Sequence, residues 1–254
     1  MIETHHLTKR YGNTVAVDDL SLTVKPGELF GFLGPNGAGK TTTIRMLTGL
    51  LRPTSGTARV AGHDILTETL QVKASIGYLA ENPFMYDKLS GREFLRFVAD
   101  LYRVEEAGRE QRINRLLELF ELADKGDDLI GSYSHGMRQK MGLCSVLVHN
   151  PQILFLDEPT TGLDPRSARL VKDILRGLVE RGVTVFMSSH ILEIVQNMCD
   201  RVGIINKGKL IAVGNLEELR AQAQAEGSSL EDIFLSLTGG AEYREVAAYL
   251  QEER

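Results

Sequence analysis

The sequence predicts an α/β fold: a mostly parallel sheet with crossover helices, an antiparallel β portion, and an inserted all-helical lobe. Three observations predict it. Strand-length apolar runs, LFGFL (29–33), ILFLD (153–157) and VTVFMSS (183–189), read as buried strands. They alternate with helical patterns, and strand–helix alternation builds a parallel sheet through crossover connections. From about 85 to 150 only helical periodicity is present, so a lobe of helices is inserted there.

Taken in order, VAVDDLSLTV (15–24) sets Val15, Val17, Leu20, Leu22 and Val24 close to a period of two, and Pro26-Gly27 supplies a turn. LFGFL runs into a glycine-rich loop. TTIRMLTGLL then reads as a helix, broken by Arg52-Pro53-Thr54-Ser55-Gly56 before another strand pair. In the lobe, Ser90-x-x-Glu93 is a capping box, followed by Phe94, Phe97, Val98 and Leu101 at helical spacing. Ile113, Leu116, Leu117 and Phe120 repeat the rhythm. Beyond ILFLD, SARLVKDILRGLVE is a helix, VTVFMSS a strand, and RVGIINKGKLIAVG a hairpin around Lys207-Gly208. Leu230, Ile233, Phe234 and Leu237 mark a helix, Gly239-Gly240 a break, and the residues to Arg254 a last amphipathic helix.

With 254 residues the chain can bury a full core, and a net charge of −5 gives no general reason for nucleic-acid binding. Cys144 and Cys199 lack metal-ligand spacing and fit a reducing compartment. The start, MIETHHLTKRYG, has no apolar core of a signal peptide, and no apolar run approaches the ~20 residues of a spanning helix. The chain is therefore expected not to cross a membrane by itself.

GPNGAGKTT (34–42) matches G-x-x-x-x-G-K-[ST] between a predicted strand and a predicted helix, the context that this phosphate-binding loop requires. It predicts a P-loop NTPase core. The glycines let the backbone N–H groups of Asn36, Gly37, Ala38 and Gly39 wrap phosphate oxygens, and the helix start, with Thr42, adds its positive end. Lys40 would reach the β- and γ-phosphates, and the Thr41 hydroxyl would bind Mg²⁺. In ILFLDEP, Asp157 at a strand tip can hold Mg²⁺ through water. The adjacent Glu158 can serve as base or water-orienting group. Alone, such an acid pair reads as a helix cap or a surface feature; downstream of the loop, the catalytic reading is preferred.

YSHGMRQK (133–140) opens a further helix, which Ser134 would cap. The order GPNGAGKTT, YSHGMRQK, ILFLDEP, TTGLD and SSH, from about residue 2 to 215, resembles the nucleotide-binding subunit of an ABC transporter. The resemblance implies that Tyr11 stacks on adenine and that Glu81 stands at the Q-loop glutamine, where its carboxylate can coordinate Mg²⁺ or orient water. It makes Asp164 the D-loop aspartate and His190 the switch histidine at the γ-phosphate. YSHGMRQK then occupies the signature position, with Ser134, Gly136 and Met137 facing ATP held by a second copy. Two chains would sandwich two ATP molecules, with Mg²⁺ in each site. Tyr133, His135 and Met137 stand where the family has Leu, Gly and Gln. These departures and the ending LEDIFLSLTGG resemble the ATPase subunits of bacterial exporters whose permease is a separate chain.

The same resemblance implies a membrane permease contacting Glu81–Ser90, near Asn82, Phe84, Met85 and Tyr86, with the chain peripheral on the cytoplasmic face of the membrane. The apolar trio could equally anchor the loop into its own lobe. The expected division is a cassette over residues 1–215 and a helical extension over 216–254. The alternative is a soluble ABC-type ATPase with a nucleic-acid or ribosomal client, though no inserted coiled coil or zinc module is present. A GTPase reading fails because Asn206-Lys207-Gly208-Lys209 lacks the aspartate of N-K-x-D.

Overall fold

The computed structural model describes residues 1–223 and 228–238; the predicted Gly239-Gly240 break and final helix lie outside them. Along the chain come β1 (Ile2–Tyr11), β2 (Thr14–Val24), β3 (Leu29–Leu33), α1 (Lys40–Leu47), β4 (Ser55–Val60), β5 (His63–Asp64), α2 (Thr69–Ser75) and β6 (Ile76–Leu79). Three helices follow, α3 (Gly91–Leu101), α4 (Arg109–Leu119) and α5 (His135–Leu147). The order ends with β7 (Ile153–Asp157), α6 (Pro165–Glu180), β8 (Thr184–Ser189), α7 (Leu192–Met198), β9 (Arg201–Asn206), β10 (Lys209–Gly214), α8 (Leu216–Gln222) and α9 (Leu230–Thr238).

This is the α/β architecture that the apolar runs predict. One sheet has the order β10-β9-β3-β8-β7-β6, parallel except for the β9–β10 hairpin. The other is antiparallel, β2-β1-β4-β5. Lys207 and Gly208 turn the hairpin with φ 48° and 80°, the two positive values that a two-residue turn needs to match strand twist.

The run ILFL is apolar throughout because β7 is covered on both faces. Ile153 and Phe155 join Phe30, Phe32 and Phe186 under α1 and the antiparallel sheet, whereas Leu154 and Leu156 face α5 and α6. The Phe186 ring lies 5.2–5.6 Å from those of Phe30, Phe32 and Phe155. Each such side chain contributes about 1.5–3 kcal/mol by leaving water. A third cluster seats α8 and α9, through Leu219, Leu230 and Ile233, on Leu33, Val202 and Ile204 of the main sheet.

β1, α2, β6, α7 and α8 carry too little pattern to be read from sequence. In β1 only Ile2 and Leu7 are large and apolar, because its other face meets solvent. α2 and α7 have seven residues each and bury one or two apolar side chains. The period-two pattern of β2 also shifts phase between Val17 and Leu20: Val17, Leu20, Leu22 and Val24 are all buried, whereas Val15 near the strand start is only half-buried. The cause is a pair of facing irregularities, His6 at φ 52° and Asp19 at φ 54°, each adding a residue between inward positions.

In the helical segment the Ser90–Glu93 capping box is formed in both directions, at 3.2 and 2.8 Å. α3 buries Phe94, Leu95 and Ala99, while Phe97 and Leu101 of the predicted stripe turn outward. Tyr133 departs from the family leucine with a visible role: its buried hydroxyl donates to Lys125 O at 2.6 Å, and burial pushes its pKa up to about 12. A Cβ on Gly91 would lie 2.4 Å from that oxygen and 2.6 Å from Met141 Cε. Gly91→Ala gains helix propensity of at most about 1 kcal/mol. The pinned ring cannot yield freely, and overpacking costs about 1–3 kcal/mol. A net loss in the urea midpoint is expected, and an unchanged midpoint would show that the ring moves aside.

Candidate active site

Open α/β sheets bind ligands beyond the carboxyl ends of their strands, where connections diverge. Here the ends of β3, β7 and β8 surround a cleft of about 290 Å³. The loop after β3 lines it with Pro35, Asn36, Gly37, Gly39, Lys40, Thr41 and Thr42; β7 supplies Asp157 and Glu158; Glu81, His190 and Ala16 complete the wall.

The loop requires its last glycine. Gly39 has φ 109°, and a Cβ there would lie 2.4 Å from Ala16 O. α1 begins immediately after it with no side-chain cap, so its first N–H groups are left to a ligand or solvent. Lys40 follows, 7% exposed, its Nζ donating to Gly34 O at 2.7 Å and lying 3.5 Å from Glu158 Oε1. Ala38 is placed behind this wall. Its side chain enters the core, its N–H donates to Pro35 O, and it is not among the residues lining the cleft.

Asp157 and Glu158 are both buried, and β7–β8 register sets Asp157 opposite Ser188. The Ser188 hydroxyl donates to Asp157 Oδ1, and the Glu158 N–H donates to Ser188 Oγ at 3.2 Å. Ser188 is thus a supporting residue whose role rests on strand register with the acid, which the sequence alone does not display. Glu158 sits at φ 52°, a conformation costing about 1–3 kcal/mol for a residue with a Cβ. That backbone turn delivers its carboxylate between Lys40 and His190, whose Nδ1 is 3.0 Å from Oε1. The arrangement offers backbone donors and an ammonium to polyphosphate, beside a shielded carboxylate able to accept a proton.

Other expected residues lie outside this cleft. Tyr11 ends β1 half-exposed, with Lys9 Nζ 5.2 Å from its ring centroid. Ser134 caps α5, accepting from Met137 N at 3.3 Å, and Gly136 follows in the first turn. Asp164 caps α6, accepting from Ser167 N at 3.0 Å and its hydroxyl at 2.6 Å, and these bonds hold its carboxyl below the usual range. In the 81–90 loop the expected contact trio divides, and Met85 is corrected. Met85 is 5% exposed and packs into the core against α5, whereas Phe84 is 84% exposed. Asn82 and Tyr86 are also exposed, and Tyr86 stands edge-on between Phe84 and Phe97. Among the described residues, no helix is long and apolar enough to cross a membrane.

The family described as ABC transporter matches residues 17–161. The chain is 43% identical over 219 residues to the uncharacterized ABC transporter ATP-binding protein YhcH of Bacillus subtilis, covering 86% of this chain and 71% of that one. It is 44% identical over 220 residues to the daunorubicin/doxorubicin resistance ATP-binding protein DrrA of Streptomyces peucetius, covering 87% and 67%. A solved structure described as an ATP-binding subunit of an ABC transporter superposes with a TM-score of 0.89 at 30% identity, covering 93% of this chain and 99% of the other. With the phosphate loop, the acid pair at the end of β7 and the histidine after β8 gathered in one cleft, the chain belongs to the ABC transporters, as an ATP-binding subunit whose ATPase activity powers transport.

Proposed function

We propose that two copies of this chain sandwich two ATP molecules and drive a separate membrane permease, in the direction of export. The observation that carries the sandwich is the position of the α5 start. Ser134, Gly136 and Met137 line no part of their own chain's cleft, yet a capped helix start with a small residue in its first turn suits a phosphate. A second copy turned head to tail would supply that phosphate, with Asp164 beside the shared junction. The name of the Streptomyces relative, a drug-resistance protein, supports export as the direction.

Within each site, Lys40 would bind the β- and γ-phosphates, Thr42 would extend the helix-start contacts and Tyr11 would stack on adenine. Glu158 accepts a proton from the attacking water, and His190 and Glu81 contact the γ-phosphate side. Mg²⁺ fits the donors present. The Thr41 hydroxyl and Asp157 are oxygen ligands, as a hard cation sharing phosphate oxygens and waters requires. Among the described residues no cluster of three acids, histidines or cysteines offers an all-protein site. Bound there, Mg²⁺ would neutralise charge on the phosphates. Residues 1–215 form the cassette in this reading and 216–254 an extension to it. The exposed Asn82, Phe84 and Tyr86 meet the permease, which places the chain on the cytoplasmic face of the membrane.

Tagged chain purified from gently solubilised native membranes is expected to bring down a stoichiometric polytopic membrane protein, identified by mass spectrometry. Recovery in the soluble fraction with ribosomal or nucleic-acid components instead would favour the soluble ATPase reading. Phe84→Ala/Tyr86→Ala should weaken co-purification without changing nucleotide binding.

A further inference from the structure

His135 replaces a family glycine at the start of α5, and its surroundings give that imidazole a specific seat. Its Nε2 lies 3.4 Å from Thr161 O. Gly162 lies beneath the ring: a Cβ there would be 2.6 Å from both Cδ2 and Nε2, so any other residue would displace the imidazole. Gly162 also holds φ 74°, which a side chain would strain. The turn it belongs to begins at Glu158, whose carbonyl accepts from Thr161 N at 3.2 Å. One helical turn further along α5, Gln139 Nε2 donates to Pro159 O at 3.2 Å. The helix is thus held twice on the segment that leaves Glu158. Gln139 holds its body, and His135 holds the first turn, where Ser134 and Gly136 stand.

We propose that His135 is a positioning residue: braced on Thr161 and Gly162, it fixes the angle at which the start of α5 meets the γ-phosphate in the partner's site. This rests on the ATP-sandwich reading above. A glycine at 135 leaves α5 docked through Gln139 and flanked by the Tyr133 hydroxyl bond and the Arg138–Asp87 ion pair, but loosens its first turn on the 158–162 segment, so the charge-assisted contact to phosphate weakens. Nucleotide held by the chain's own loop, in a cleft that no residue of α5 lines, is unaffected.

The test uses Glu158→Gln full-length chain, with dimerisation followed by sedimentation across ATP concentration and ADP affinity measured separately. Adding His135→Gly is expected to raise the ATP midpoint for dimerisation at least roughly tenfold, the loss of one hydrogen bond to a charged group, with ADP affinity within about twofold. His135→Gln, whose amide can reach Thr161 O, should restore most of the loss. Gly162→Ala should reproduce the defect with the α5 sequence intact. An unchanged midpoint in His135→Gly, or an equal fall in ADP affinity, overturns the positioning role. If Glu158→Gln alone never dimerises with ATP, the sandwich itself fails, which is a separate result.

Discussion

Glu158→Gln is expected to lower ATP hydrolysis by roughly 10²–10⁴-fold, the contribution of a positioned general base, while ATP binding is retained or tightened. The amide keeps the volume of the carboxylate in a site where Glu158 is 6% exposed, and its oxygen can still accept from Lys40, now 3.5 Å away. What is lost is proton affinity and negative charge. A carboxylate some 4–6 Å from a γ-phosphate repels it by about 1 kcal/mol or more where water is partly excluded, so its removal favours the ATP complex. The product of binding without turnover is a long-lived dimer holding two ATP molecules. Sedimentation at saturating ATP and Mg²⁺ should show twice the monomer mass, with single-turnover phosphate release nearly absent. A monomer under those conditions would count against the shared site; residual hydrolysis within a few-fold of wild type would remove Glu158 from the role of base.

The parts of this molecule legible in sequence are those where one residue type alone satisfies the physics. LFGFL, ILFL and VTVFM announce themselves because strands covered on both faces exclude polar side chains. The phosphate loop is legible because Gly39, at φ 109° against Ala16 O, admits no other residue. β1 is illegible for the opposite reason: Glu3, His5, Lys9 and Arg10 are exposed or partly so, and the bulge at His6 breaks its alternation. Met85 was ambiguous because an apolar residue in a loop can face its own core or a partner, and only the packed structure chooses. Ser188 escaped notice because its importance is a matter of register with Asp157, which no local pattern encodes. The docking of His135 on Gly162 joins residues 27 positions apart and is likewise invisible before folding.

Lys40→Ala should lower nucleotide affinity by about 10²–10⁴-fold, the loss of one or two charge-assisted hydrogen bonds to phosphate, and abolish measurable hydrolysis. Two effects combine in that number. The ammonium donates to Gly34 O at 2.7 Å and Pro35 O at 3.4 Å, so it also shapes the loop. Its removal leaves the His190 imidazole as the one basic side chain paired with the buried Glu158 carboxylate among the described residues. The phosphates then meet an acid that Lys40 no longer offsets. A double-mutant cycle separates these contributions. If uncompensated Glu158 charge accounts for part of the loss, Lys40→Ala/Glu158→Gln will bind ATP more tightly than Lys40→Ala, by roughly three- to tenfold for a coupling of about 1 kcal/mol. If the loss comes only from missing phosphate contacts and a loosened loop, the double variant will bind no better than the single. Fluorescent-nucleotide titrations of the four proteins, with thermal melts to confirm folding, decide between them. The first outcome would mean that Lys40 serves the site twice, as a donor to phosphate and as the counter-charge that lets a carboxylate stand beside it.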